Sequence, residues 1–206
     1  MLIKTRKGNP WNVDKEGPCK ALILRYANCS LRCNVCYAQR YAYLNPAGKD
    51  IKPFSVEACL QNLHNSSEEI GWIKIMGGEP LIDENRSMQT AKIAVEALRH
   101  LSKHKTGPIS KVVIQTNGLW LAKTSLMQIK RFIRTLKHGL SAFNSGRVVI
   151  EISFKGPNVG DADLYALSMR SSFTSTVFTH QLQGFKNLLR EIVNEVWQDG
   201  VCSLAL

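Results

Sequence analysis

The chain has 206 residues, 44% of them hydrophobic and 21% charged, and a formal net charge of +11. That length supports one sizeable core, expected as a single domain over residues 1–206, and the composition is that of an ordinary soluble globular chain. No apolar run approaches the ~20 residues that a membrane span requires, and Met1 to Lys7 does not lead into a secretory signal core, so the expected location is cytoplasmic, with no membrane association.

In chain order, Lys20 to Tyr26 reads as a short buried strand that ends just before a cysteine-rich loop. A helix is expected to begin at Tyr37 and stop at Asn45-Pro46-Ala47-Gly48, and a second to run from a Ser55 cap to about His64. Trp72 to Met76 is the next strand and delivers Gly77-Gly78-Glu79-Pro80 at its end. Ser87 to His104 has helical periodicity, Lys111 to Gln115 is a third strand ending in Thr116-Asn117-Gly118, and a basic helix follows from about Thr124 to Lys137. Arg147 to Lys155 reads as a fourth strand, 178–198 as a long amphipathic helix, and Val201 to Leu206 as the start of a fifth strand.

Strands and helices alternating at this spacing predict βαβ units and a parallel sheet, hence an α/β fold. In such sheets functional groups gather at the C-terminal strand ends. The cysteines, Gly-Gly-Glu, Thr-Asn-Gly and Ser-Phe-Lys all fall there, which predicts one shared site.

Cys29, Cys33 and Cys36 are spaced Cx3Cx2C. Three thiolates on one short loop suit an iron–sulfur cube and leave its fourth iron open to another ligand, as reactive metal sites require. Structural zinc is the alternative, although it normally takes four ligands, often as two separated pairs. Cys19 could close the site as a fourth ligand; Cys59 and Cys202 are scattered. A disulfide framework does not suit a chain of this length without a secretory signal.

No Asp or Glu occurs from Ala97 to Ile150, a stretch that carries Arg99, Lys103, Lys105, Lys111, Lys123, Lys130, Arg131, Arg134, Lys137 and Arg147. A surface of one sign attracts polyanions, acidic proteins or phosphorylated small molecules, so an anionic substrate or RNA is a candidate partner. Solvated helix faces would account for the same charges, and aromatic residues are not interleaved as a single-strand stacking platform would need.

With the Cx3Cx2C triplet after the first strand and Gly77-Gly78-Glu79-Pro80 after the second, the chain resembles the radical S-adenosylmethionine (radical SAM) superfamily over roughly residues 19–170. Its layout is most similar to the small activating-enzyme and 7-carboxy-7-deazaguanine synthase group. The resemblance implies a partial (β/α)6 parallel barrel. It also implies an enzyme in which a 4Fe-4S cluster on Cys29, Cys33 and Cys36 reductively cleaves SAM and yields a 5′-deoxyadenosyl radical for hydrogen abstraction from an unknown substrate. Gly77, Gly78 and Glu79 would meet the SAM amino group, the glycines letting backbone approach the ligand closely. Ser153 would bond the ribose, Lys155 the carboxylate, Asn117 would line the site, and Val35 and Tyr37 would contact the adenine. An electron donor of flavodoxin or ferredoxin type is implied as a partner.

The chain departs from the family pattern at Val201 to Leu206, where the fifth strand starts and the barrel reads as truncated, so a partner subunit completing it is a further expectation. No second-cluster motif and no separate substrate domain are visible. The alternative function is a non-enzymatic iron–sulfur or zinc protein, an electron carrier or a subunit of a complex. A basic nucleic-acid-binding module with an incidental metal site rests on charge alone.

Overall fold

The computed structural model describes residues 2–7, 20–31, 33, 36, 58, 61, 70–103, 111–141, 147–155, 177–195 and 202–205. The elements are β1 (Leu2–Lys7), β2 (Lys20–Tyr26), β3 (Ile70–Gly77), α1 (Glu84–Lys103), β4 (Lys111–Thr116), α2 (Leu119–Lys123), α3 (Leu126–Leu140), β5 (Arg147–Ile152), α4 (Val177–Glu195) and β6 (Cys202–Ala205). They form an α/β fold around one six-stranded sheet whose strands lie side by side in chain order. Strands β2 to β6 pair in parallel, and β1 lies antiparallel against β2. The parallel strands have no reversal of order, so their C-terminal ends form one continuous rim.

Strands β3 to β5 are near-continuous apolar runs because both faces are buried, as a parallel sheet demands. On one face Leu22, Leu24, Ile73, Ile75, Val112, Ile114, Val148 and Ile150 join a core cluster with Ala91, Ala94 and Leu98 of α1 and Ile129, Phe132 and Leu136 of α3. The opposite face carries Trp72, Val113 and Val149 in a smaller cluster. Beside these, Lys74 Nζ donates to Glu151 Oε2 at 3.0 Å, and Gln115 Nε2 donates to Glu151 Oε1 at 3.0 Å. A charge pair buried this deeply is tolerated only when paired and hydrogen-bonded, as both partners are.

Local chemistry sets the helix starts. Asp83 Oδ1 accepts the Arg86 N–H at 2.8 Å, so α1 begins at Glu84 and not at Ser87. Ser125 and Gln128 form a reciprocal capping box, which starts α3 at Leu126. Glu84 accepts from Gln128 Nε2 at 2.6 Å and from Arg131 at 3.3 Å, which links the starts of the two helices.

Three elements differ from the sequence expectation. Strand β1 and the short helix α2 were not anticipated. The fourth expected strand ends at Ile152, so Ser153 and Lys155 lie past it. The helix expected from Tyr37 lies outside the described residues; of that expected over Ser55–His64, Ala58 and Gln61 are described, and both are helical.

Candidate metal centre

The turn after β3 is fastened to the segment that enters the cysteine loop. The Gly78 N–H donates to the Tyr26 carbonyl and the Glu79 N–H to the Asn28 carbonyl, each at 2.7 Å. Asn28 has φ 66° and Gly77 φ 95°, the left-handed region that Asn and Gly tolerate. A Cβ on Gly78 would lie 2.2 Å from the Asn28 carbonyl oxygen. Backbone does approach this turn closely, as the sequence led one to expect, but the approaching group is the chain's own. Arg86 closes the arrangement from α1: its guanidinium donates to the Ala27 carbonyl at 2.8 Å and lies 5.3 Å from the Tyr26 ring centroid.

Glu79 faces inward. Its Oε1 accepts the Leu81 N–H at 2.8 Å and the Thr116 hydroxyl at 2.5 Å, and its Oε2 accepts the Asn117 N–H at 2.7 Å. The carboxylate therefore ties the end of β3 to the end of β4. Burial pushes its pKa up, against the hydrogen bonds from Thr116, Asn117 and Leu81 and the positive charge of Lys155, which pull it down.

Asn117 carries the connection to the cysteines. Its Oδ1 accepts the Leu119 N–H at 3.0 Å, which turns its Nδ2 toward Ser30 Oγ at 3.2 Å and Cys29 Sγ at 3.7 Å. Cys33 is buried with Leu31, Leu119 and Val177, and half-buried Cys29 and Cys36 pack against the same group. The Cys36 N–H donates to the Cys33 carbonyl at 3.1 Å, so the last two cysteines share a turn. All three are free thiols. Burial raises the Cys33 pKa; Lys155 opposes this, while Cys29 and Cys36 add to it.

This donor set fits an iron–sulfur cluster. Three soft sulfurs within electrostatic reach of one another are backed by apolar side chains, with an amide donor directed at one sulfur and a lysine cation within electrostatic reach of another; hydrogen bonds and nearby charge are the groups that tune such clusters. Among the described residues, no three His, Cys, Asp or Glu side chains converge as ligands of one ion. Ligands on separate irons of a cube have no need to converge on a single point.

Beyond β5, the Ser153 N–H still donates to the Thr116 carbonyl at 2.8 Å. The Lys155 ammonium donates to Ser153 Oγ at 2.9 Å, and its N–H donates to Gln181 Oε1 at 2.9 Å. Gln181 Nε2 in turn donates to the carbonyls of Asn117 at 2.7 Å and Ser153 at 2.8 Å. Cys29, Cys33, Cys36, Gly77, Gly78, Glu79, Asn117, Ser153 and Lys155 thus share one rim. Val35, Tyr37, Cys19 and Cys59 lie outside the described residues, and Cys202 falls in β6. Gln181 and Arg86 were not anticipated; Thr116 was placed at the site only as part of the Thr-Asn-Gly motif, without a role of its own. Gln181 had a signal, since it is a polar residue on the buried stripe that also holds Val177, Leu188, Glu191 and Ile192.

A parallel α/β sheet that gathers three free thiols at its strand ends suits an iron–sulfur protein. The chain belongs to the 4Fe-4S single cluster domain family, whose family model matches residues 15–140. A search of curated proteins returned no match.

Proposed function

We propose that this iron–sulfur protein is a radical SAM enzyme built on a partial (β/α)6 barrel. The observation that carries the reading is the direct hydrogen bonding of the Gly77–Glu79 turn to Tyr26 and Asn28, which couples the Gly-Gly-Glu element to the start of the Cx3Cx2C loop. The 4Fe-4S single cluster domain family is associated with radical-SAM-like families.

In this reading Cys29, Cys33 and Cys36 hold three irons, and the fourth is left for the amino and carboxylate groups of SAM. When bound, the reduced cluster and SAM supply the one-electron cleavage that yields methionine and a 5′-deoxyadenosyl radical for hydrogen abstraction from a substrate. The residues of the chain bind and orient. Lys155 pairs with the SAM carboxylate and Ser153 with the ribose, their side chains already meeting at 2.9 Å. The Gly77–Gly78 backbone receives the amino group, and Val35 and Tyr37 flank the adenine. Glu79 acts by holding this backbone in place, a change from the direct ligand contact first expected of it. The electron comes from a separate flavodoxin- or ferredoxin-like protein.

The test is the electron paramagnetic resonance spectrum of the anaerobically reconstituted, dithionite-reduced protein with and without SAM. A SAM-dependent change in the cluster signal that weakens in Lys155→Ala supports the reading. A loaded four-iron cluster whose signal ignores saturating SAM leaves an electron carrier as the function.

A further inference from the structure

We propose that Gln181 of α4 is a positioning residue for the cluster site, its side-chain amide clamping the ends of β4 and β5 so that Asn117 and Lys155 are presented to the cysteine loop. The inference rests on the reading that Cys29, Cys33 and Cys36 hold the cluster.

The last rung between β4 and β5 is the Ser153 N–H on the Thr116 carbonyl at 2.8 Å. Beyond it the Gln181 amide takes over. One group donates to Asn117 O at 2.7 Å and Ser153 O at 2.8 Å and accepts the Lys155 N–H at 2.9 Å. Two donors and one acceptor on a long stem are what a glutamine side chain offers. Gln181 is 0% exposed, on a helix stripe whose other buried side chains are Val177, Leu188, Glu191 and Ile192. An apolar residue there would bury α4 equally well without the desolvation cost of an amide. What the amide adds is the placement of three specific backbone groups.

A second observation fixes the helix at the reach this requires. One turn along, a Cβ on Gly184 would lie 2.3 Å from the Gly118 carbonyl oxygen, so α4 is pressed against the same 117–118 turn. The clamped turn at 117 carries a group directed at the thiols, Asn117 Nδ2 lying 3.7 Å from Cys29 Sγ, and the clamped 153–155 segment carries the Lys155 cation, whose Nζ is held on Ser153 Oγ at 2.9 Å. A hydrogen bond to a cluster sulfur and a nearby positive charge both favour the more negative, reduced cluster and so raise its reduction potential. Loosening the clamp lowers that potential.

The experiment compares wild type, Gln181→Met, Gln181→Glu and, as a packing control, Leu188→Ala. It reads a spectroscopically monitored redox titration of the reconstituted cluster, and hydrogen exchange at the Lys155 amide in the metal-free protein. Gln181→Met, of similar length and without hydrogen bonds, is expected to load iron, shift the potential negative and lose Lys155 amide protection. Gln181→Glu, which keeps an acceptor for Lys155 and loses the paired N–H donors, retains that protection while its potential still falls, and it serves if the methionine variant does not fold. Leu188→Ala lowers stability and leaves the potential in place. Unchanged potential and Lys155 exchange in the Gln181 variants, or the same shift in Leu188→Ala, would overturn the inference alone. A wild-type protein that loads no iron on the three cysteines would overturn the cluster reading and this inference with it.

Discussion

Glu79 accepts the main-chain N–H of Asn117 at 2.7 Å, across the boundary between the end of β3 and the end of β4. Because the Asn117 side chain reaches Cys29 and Ser30, this one carboxylate links the Gly-Gly-Glu turn to the thiols through the backbone of a third segment. The rim of the sheet is therefore a connected polar structure in which a change at Glu79 reaches the cysteines without touching them.

Replacing Glu79 by Ala removes the acceptor for the N–H groups of Leu81 and Asn117 and for the Thr116 hydroxyl. Each buried donor left unpaired costs about 1–3 kcal/mol, so Glu79→Ala should lower stability by at least about 3 kcal/mol. Urea denaturation of the metal-free protein measures this. A loss within about 0.5 kcal/mol, as for an ordinary surface site, would contradict the role.

The pH dependence follows from the raised pKa of Glu79, whose ordinary value is 4.5. An acid whose folded pKa exceeds its unfolded one binds its proton more tightly in the native state. Its contribution is fully present below the unfolded pKa and is lost as pH rises through the folded value. The stability of wild type relative to Glu79→Gln should thus decline from about pH 4.5 upward and then level off. A difference that grew with pH would mean that the hydrogen bonds outweigh burial.

Gly78→Ala places a methyl group 2.2 Å from the Asn28 carbonyl oxygen, a backbone atom that cannot swing aside. Overpacking of this kind costs about 1–3 kcal/mol or more. Because the displaced segment leads directly into Cys29, iron loading should also fall, by more than in a core variant of equal stability loss such as Leu98→Ala. Iron and sulfide assays after reconstitution make the comparison.

The Lys74–Glu151 pair provides a test remote from the thiols, with side chains 7% and 11% exposed. Lys74→Met leaves the Glu151 carboxylate buried without its cation and should cost about 3–5 kcal/mol. The double variant Lys74→Met/Glu151→Leu should recover most of that loss, since replacing a buried pair by apolar residues is often nearly neutral. A double variant as unstable as the sum of the single ones would show that the pair is not coupled.

Strands β2 to β5 were legible because runs such as Val112-Val113-Ile114 bury both faces and leave little choice of structure. Strand β1 was not: with Lys4, Arg6 and Lys7 among its residues it has no apolar pattern of its own, and it forms by pairing along the edge of β2. The positions of the motifs at strand ends were readable from order alone. The inward turn of Glu79 was not, because its partners Thr116 and Asn117 stand 37 and 38 residues away and are brought to it only by the sheet. The same holds for Gln181, whose contact with Asn117 spans 64 residues. The glycines of the turn were recognised as sites of close approach; that Asn28 fills the space beside Gly78 follows from φ angles and packing that residue types do not encode.

The central claim is tested most directly by SAM cleavage. The protein is reconstituted anaerobically with iron and sulfide, reduced with dithionite and given SAM, and 5′-deoxyadenosine is quantified for wild type and Cys33→Ala. The account predicts 5′-deoxyadenosine from wild type and none from Cys33→Ala. Wild type carrying a full four-iron cluster and yielding no 5′-deoxyadenosine would contradict it.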